Sequence, residues 1–348
     1  YQPVSHLPHL LFMNISTISK SINRAEWVRD IWSWLFLIVM VLFFEIWAQV
    51  SYSSSFVFNG FNVQSILIFA TAPLLLGIGQ SLVIISGGID LSVGFIMGLS
   101  AVVLATIVQS FSGEAQGVAL AIGILATCLV CLIPGLINGL LITKLKVPPF
   151  IGTLGMYGVA RGSGFIIADG MTVPVDNDWL YNLGTGKILG IPIIVLIVII
   201  VALVFHFVLS RTKFGQYTYA IGGNREAAIR SGINVDRHII IIFLLSAFCA
   251  FLAGLVYTAR FSAGAAQAGE PMLLDSIAAV FIGGASFYGG SGKIIGTVVG
   301  ALVIAVIQFG LVFVDVDSFW QFLAVGLVII VAVLIDQSKT RVTGVTNE

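Results

Sequence analysis

RTKFGQYTYAIGGNREAAIRSGINVDRH, residues 211–238, is the longest polar, basic interruption between two strongly apolar runs of the chain. It holds Arg211, Lys213, Arg225, Arg230 and Arg237, five of the sixteen Lys and Arg residues. Local chemistry predicts a short helix in its middle. Asn224 is a good N-cap, Glu226 favours a first turn, Ala227 and Ala228 are strong helix formers, and Gly232 is a natural stop. A loop this long and charged lies outside a bilayer, and its short helix is suited to touching another protein.

The runs on either side explain why a bilayer enters the reading. The 348 residues are 58% hydrophobic and only 9% charged, with a mean hydropathy of +1.08, where a soluble domain is nearer a quarter charged. Several runs reach the roughly 20 apolar residues that span a hydrocarbon core. The expected fold class is an all-α polytopic membrane protein. Spans are expected at Ile31–Val50, Phe61–Ile85, Val93–Gln109, Val118–Ile142, Ile151–Ala168, Ile191–Leu209, Ile239–Ala259, Asp275–Tyr288, Ile294–Val314 and Phe319–Ile335, about ten in all. Residues 1–30 then form an N-terminal segment, 31–336 the transmembrane domain containing the 211–238 loop, and 337–348 a tail. Nothing before Ile31 reads as a cleavable signal peptide, because a basic segment precedes a full-length span with no small-residue cleavage pattern.

With that layout the basic residues separate sharply. Lys20, Arg24, Arg29, Lys144, Lys146, the five of the 211–238 loop, Lys293, Lys339 and Arg341 fall on the side of the N-terminus. Only Lys187 and Arg260 fall opposite, with Arg161 inside a span, while Glu114, Asp169, Asp176, Asp178, Glu270, Asp275, Asp315 and Asp317 join them. The positive-inside rule then places both termini and the 211–238 loop in the cytoplasm.

Glycines recur four apart inside the spans, at Gly94/Gly98, Gly135/Gly139 and Gly296/Gly300, a spacing that lets helices approach closely in lipid. Gly87-Gly88 with Gly94 and Gly98 is echoed at the same offsets by Gly289-Gly290 with Gly296 and Gly300, either a remnant of duplication or a coincidence of glycine-rich helix starts. Cys128 and Cys131 form a C-x-x-C without a second pair, which reads as packing rather than a metal or redox site.

Enzyme chemistry needs ionisable groups within reach of one another. The spans offer only Glu45, Arg161 and, at an edge, Asp90, and His6, His9, His206 and His238 lie outside or at span ends. No catalytic cluster and no metal-ligand pattern emerges, and ion coupling through buried carboxylates or histidines is disfavoured. Asp90 in GGIDLSVG either caps the following helix with Ser92, or shapes a turn at the edge of a pathway, or does both. Arg161 either lines a wet cavity or snorkels to an interface. GGSGK at 289–293 is not a phosphate loop: Phe287 stands where the first glycine belongs and Ile294 where Ser or Thr belongs. An ATP-driven reading therefore requires the ATPase to be another polypeptide.

ISGGIDLSVG (85–94), KVPPFIGTLGMYGVARG (146–162), AIGGNREAAIRSGINVDR (220–237) and DSIAAVFIGGASFYGGSGKIIGTVVGAL (275–302) resemble the permease subunits of bacterial ABC sugar importers. The likeness is to the ribose/xylose/arabinose/galactose type, related to branched-chain amino-acid permeases, and runs from Gln64 to Ile335. It implies the ABC importer permease fold in a bacterial inner membrane. It also implies a second permease copy or a homologous permease, a cytoplasmic ABC ATPase that uses the ATP, and a periplasmic sugar-binding protein. In such families a coupling helix carries an EAA-like signature followed by Gly, here Glu226, Ala227, Ala228 and Gly232. That helix docks on the ATPase, with Arg225 and Arg230 available to pair with acids; the alternative is a membrane-surface helix whose arginines meet lipid headgroups. A sugar needs a wet path with scattered hydrogen-bonding and aromatic groups. Candidates are Asn138, Thr153, Tyr157, Tyr288 and Gln308, beside Asp90, Ser92 and Arg161, although each is equally read as a packing residue. The alternatives to a sugar or polyol importer are a branched-chain amino-acid permease, an ion-coupled secondary transporter, or a membrane enzyme or receptor.

Overall fold

A computed structural model describes residues 15–111, 115–317 and 319–342. The stretch to residue 14, Glu114 and the tail beyond Val342 lie outside the described residues, as do the side chains of Lys20, Arg24, Arg29, Lys339 and Arg341. The helices in chain order are α1 (Ile15–Tyr52), α2 (Gly60–Ile85), α3 (Val93–Ser110), α4 (Gln116–Thr143), α5 (Pro149–Ile167), α6 (Asp178–Thr185) and α7 (Ile193–Arg211). They continue with α8 (Lys213–Gly223), α9 (Arg225–Arg230), α10 (Val235–Phe261), α11 (Glu270–Ile282), α12 (Ile294–Phe313) and α13 (Phe319–Val342). Two short antiparallel pairs join β1 (Val173–Pro174) to β4 (Ala263–Gly264), and β2 (Lys187–Ile188) to β3 (Ile191–Pro192).

Most expected spans coincide with a helix to within a few residues, because an unbroken apolar run has no cheaper way to satisfy its backbone in lipid. Among the described residues, seven helices are long and apolar enough to cross a membrane: Ile31–Tyr52 of α1, then α2, α3, α4, α7, α10 and α12. The other three expected spans fall short for identifiable reasons. α5 carries Gly155, Gly158, Gly162, Arg161 and Thr153, which dilute its apolar run. α11 stops at Ile282, short of the expected Tyr288, because the glycines at 283 and 284 end it; its 13 residues rise only about 20 Å against a core of about 30 Å. In α13 the described apolar part is Phe319–Val331. The expected loop after α5 is also more ordered than its polarity suggests: it contains α6, capped by Asn177, whose side chain accepts from Leu180 N.

α2, α3 and α10 form the middle of the bundle. α2 is buried almost continuously from Ala70 to Ile85, and α10 is buried along most of its length. α4 and α5 flank α3, while α11 and α12 flank α2. α1 lies against α12, and α13 against α11 and α12. α7 presents Ile199, Ile200, Leu203, Val204 and Phe207 outward, as a helix beside lipid does.

The three glycine pairs are points of close approach. A Cβ on Gly94 would lie 2.4 Å from Gly269 O, one on Gly135 2.7 Å from Phe243 O, and one on Gly300 2.0 Å from Ala279 O. Each would force two backbones apart. Glu45, the acid inside the first span, is consumed locally: its carboxylate accepts from Phe56 N at 2.8 Å, Val57 N at 2.9 Å and Ser55 Oγ at 3.0 Å, and so organises the turn after α1.

Candidate functional site

The 211–238 loop folds as two helices rather than the single one expected. Phe214, Gly215, Thr218 and Ile221 give α8 an inward face, and the helix runs to Gly223 before the chain turns. Asn224 then caps α9, its side chain accepting from Ala227 N at 2.9 Å. Gly232, at φ +82°, stops it as its residue type requires. α9 buries only Ala228 and leaves Arg225, Glu226, Ala227, Ile229 and Arg230 exposed. Glu226 and Arg230 pair at 3.4 Å but are each 82% exposed, so the pair binds little else in the chain.

What holds α9 in place is a charge cluster that composition alone hides. Asp236, in the first turn of α10, lies 3.7 Å from Arg225, 3.7 Å from Lys144 and 3.6 Å from Lys146. One carboxylate thus gathers the helix, the turn between α4 and α5, and the start of α10. Each half-exposed pair contributes no more than about 1 kcal/mol; the arrangement matters as a positional clamp with excess positive charge. Asp236 was missed in the sequence, although it is one of only two acids, with Glu226, among the five bases of its loop.

At the same end of the bundle the chain breaks between α2 and α3. Asp90 and Ser92 lie in that break, yet both are fully buried. Asp90 Oδ1 accepts from Ser92 N at 2.9 Å and from Ser92 Oγ, and Oδ2 accepts from Ser246 Oγ of α10 at 3.1 Å. Gln80 of α2 donates to Asp90 O. Asn138 of α4 donates to Ser92 Oγ at 2.9 Å, and Thr153 of α5 donates to Ile89 O at 3.3 Å. Gln80 and Asn138 each sit five residues inside their helix ends, so the break folds back about 7 Å into the bundle. Irregular backbone at that depth persists only where protein satisfies it. The helix-cap expectation holds in position and not in side-chain bonding: Ser92 occupies the N-cap position of α3 and its amide is taken by Asp90, but its hydroxyl makes no capping bond because it is used by Asp90 and Asn138. Asp90, Ser92, Asn138 and Thr153 therefore converge, as a lock around the break rather than an open lining. Asn138 Oδ1 is left buried without a partner.

The remaining pathway candidates separate from this lock. Tyr157 stacks edge-on to Phe95 at 4.3 Å, and the Arg161 guanidinium lies 5.3 Å from the same ring and 3.4 Å from Tyr157 Oη. Arg161 is exposed and, among the described residues, forms no ion pair. Around it the outer face of α5 is bare, since a Cβ at Gly155, Gly158 or Gly162 would meet nothing within 4 Å. Gln308 of α12 donates to the buried Asp275 of α11 at 2.7 Å and is held there. Tyr288 lies exposed in the loop after α11 and joins none of these groups. The three cysteines are free.

Comparison with known proteins places this architecture in context. The family model described as "Branched-chain amino acid transport system / permease component" matches residues 62–334. A ribose import permease protein of Bacillus subtilis is 38% identical over 281 residues, covering 80% of this chain and 85% of the relative. The D-allose transport system permease protein of Escherichia coli is 37% identical over 280 residues, 79% of this chain and 83% of the relative. A fructose import permease protein of Rhizobium meliloti is 37% identical over 290 residues, 80% and 79% of the two chains. No solved structure matches the chain.

Proposed function

The chain belongs to that permease-component family, and from this premise we propose that it is the membrane-spanning subunit of an ATP-driven importer that moves a sugar or polyol across a bacterial inner membrane. The observation that carries the reading is α9: capped by Asn224, clamped by Asp236, and exposed on every side but one. A helix built and presented in this way leaves most of its surface free for a partner outside its own chain. A cytoplasmic ABC ATPase, a separate polypeptide that binds and hydrolyses the ATP, is the partner its position serves. Closure of that ATPase moves α9, and the clamp passes the motion to α4, α5 and α10.

The orientation follows from charge. The end of the bundle that holds α8, α9, Lys144, Lys146 and Lys293 faces the cytoplasm, together with both termini, and Lys187 faces the periplasm. About ten crossings satisfy that distribution if α5, α11 and α13 traverse as well. α5 then needs a cover, because an exposed arginine beside bare glycines is costly against lipid. A second copy of the chain, or a homologous permease, packs on that face, and Tyr157 and Arg161 line a polar path between the two. Lipid covers the apolar faces such as that of α7. A periplasmic binding protein delivers the substrate.

The relatives are named for ribose, allose and fructose, whereas the family description names branched-chain amino acids. The two readings separate in one assay. Proteoliposomes containing the permease, its ATPase and its binding protein are expected to accumulate one of tritiated ribose, allose or fructose only with ATP inside the lumen. Accumulation of leucine in place of sugars would move the protein to the amino-acid branch, and uptake driven by a sodium or proton gradient without ATP would end the importer reading.

A further inference from the structure

Two stretches, SGG at 86–88 and GGSG at 289–292, play no part in a pathway or a phosphate loop, yet they meet. Gly290 N donates to Ile85 O at 2.8 Å. Between them sits Gly222, near the end of α8. A Cβ at Gly222 would lie 1.7 Å from Ile85 O and 2.6 Å from Gly290 N. One at Gly289 would lie 3.0 Å from both Gly222 O and Gly87 Cα. The two breaks are held open by left-handed backbone, at φ +88° for Gly87, +86° for Gly289 and +71° for Gly290, which glycine adopts without strain. Tyr219, one turn earlier on α8, donates to Gly292 O at 2.7 Å.

We propose that this junction of bare backbones, with Gly222 at its centre, is where movement of the coupling loop is handed to the two broken segments of the bundle together. The proposal rests on the coupling reading given above and extends it inward. α9 is joined to Gly222 and Gly223 through its own cap residue, Asn224, so any tilt of α9 arrives at Gly222 first. One side of the junction leads within five residues to Asp90, the lock around it and the start of α3. The other leads through Gly292 to Lys293 and the start of α12, where Thr297 meets Ser81 of α2 at 2.7 Å. Side chains at such a point would add rotamers that absorb displacement. Backbone against backbone transmits it, because close-packed groups have no slack. The glycine echo between the two breaks thus has a mechanical reason, whatever its origin: both face the same strand of chain.

Neighbouring residues supply the control. Gly223 has ordinary φ and nothing within 4 Å of an added Cβ, while Gly222 has no room at all. Gly222→Ala and Gly223→Ala are compared in the complete complex in proteoliposomes, reading ATP hydrolysis and uptake of tritiated ribose, allose and fructose together. Gly222→Ala is expected to bind the ATPase normally and to lower sugar moved per ATP hydrolysed about tenfold, the scale of a typical coupling free energy. Gly223→Ala is expected to match the wild type. Equal coupling in the two variants would overturn the inference while leaving the importer reading intact; a wild-type complex whose uptake ignores ATP would instead remove the coupling reading beneath it. Should Gly222→Ala fail to assemble, Tyr219→Phe decides, since it adds no bulk and deletes the bond to Gly292. A reduced uptake-to-hydrolysis ratio in that variant, with ATPase binding retained, supports the junction, and an unchanged ratio refutes it.

Discussion

Ser246, in the body of α10, donates a 3.1 Å hydrogen bond to Asp90 Oδ2 across 156 residues of sequence. That bond ties a central helix of the bundle to the irregular segment between α2 and α3. Both residues are sealed from solvent, so the carboxylate depends on Ser246, Ser92 and the backbone for its stabilisation.

Removing the acid should therefore unlock the break. Asp90→Ala leaves the amide of Ser92 and two hydroxyls without their acceptor and is expected to cost about 3 kcal/mol or more. Ser246→Ala, which removes one donor of several, should cost about 1–2 kcal/mol. Thermal unfolding of the detergent-solubilised protein measures both. A smaller loss for Asp90→Ala than for Ser246→Ala would contradict the lock.

At the clamp, Asp236→Ala frees Arg225, Lys144 and Lys146 together. Stability should change by less than about 1 kcal/mol, as for exposed pairs, while ATPase affinity falls because α9 is no longer held in place. Arg225→Ala should reproduce only part of that loss. Binding isotherms at low and high salt separate the effects, and a large fall in melting temperature would show a structural role instead.

On α9 itself, Glu226→Arg reverses a charge that is 82% exposed and should leave membrane insertion intact while uncoupling ATP hydrolysis from uptake. Gly232→Trp combines bulk with a backbone at φ +82°; the strain is about 1–2 kcal/mol, small beside the block to docking. Normal uptake in both variants would sink the assignment of α9 as the coupling helix.

The outer face of α5 makes its own prediction. A Cβ at Gly158 would meet nothing within 4 Å in the single chain, so with Gly158→Trp the fold should survive while association with a second copy is lost. Light scattering should show the particle fall to about half its protein mass. Leu203→Trp, on the lipid-facing side of α7, should leave the mass unchanged, and a Gly158→Trp variant of full mass would place the second copy elsewhere.

Orientation is checked by labelling. Lys187 should react with an impermeant amine reagent in right-side-out vesicles, and Arg225→Cys should not react with an impermeant maleimide. The reverse pattern would invert the topology.

The sequence by itself determined whatever depends on composition and local chemistry. Apolar runs became helices because lipid offers backbone amides no other partner. Asn224 and Gly232 bounded α9 because capping is local, and the glycine pairs Gly94/Gly98, Gly135/Gly139 and Gly296/Gly300 marked close contacts because only a missing side chain permits them. The 28 residues from Arg211 to His238 were legible as a polar, basic interruption with a short helix in it, though not as two helices. Tertiary structure alone decided the rest. Asp236 gained its meaning from Lys144 and Lys146, ninety residues away. Ser92 holds the N-cap position without a side-chain cap because Asn138 and Asp90 claimed its hydroxyl, Gln308 was taken by Asp275, and Gly222 came to lie between Ile85 and Gly290. Such pairings are set by which helices pack together, and that choice is summed over the whole bundle, so no single stretch of chain records it.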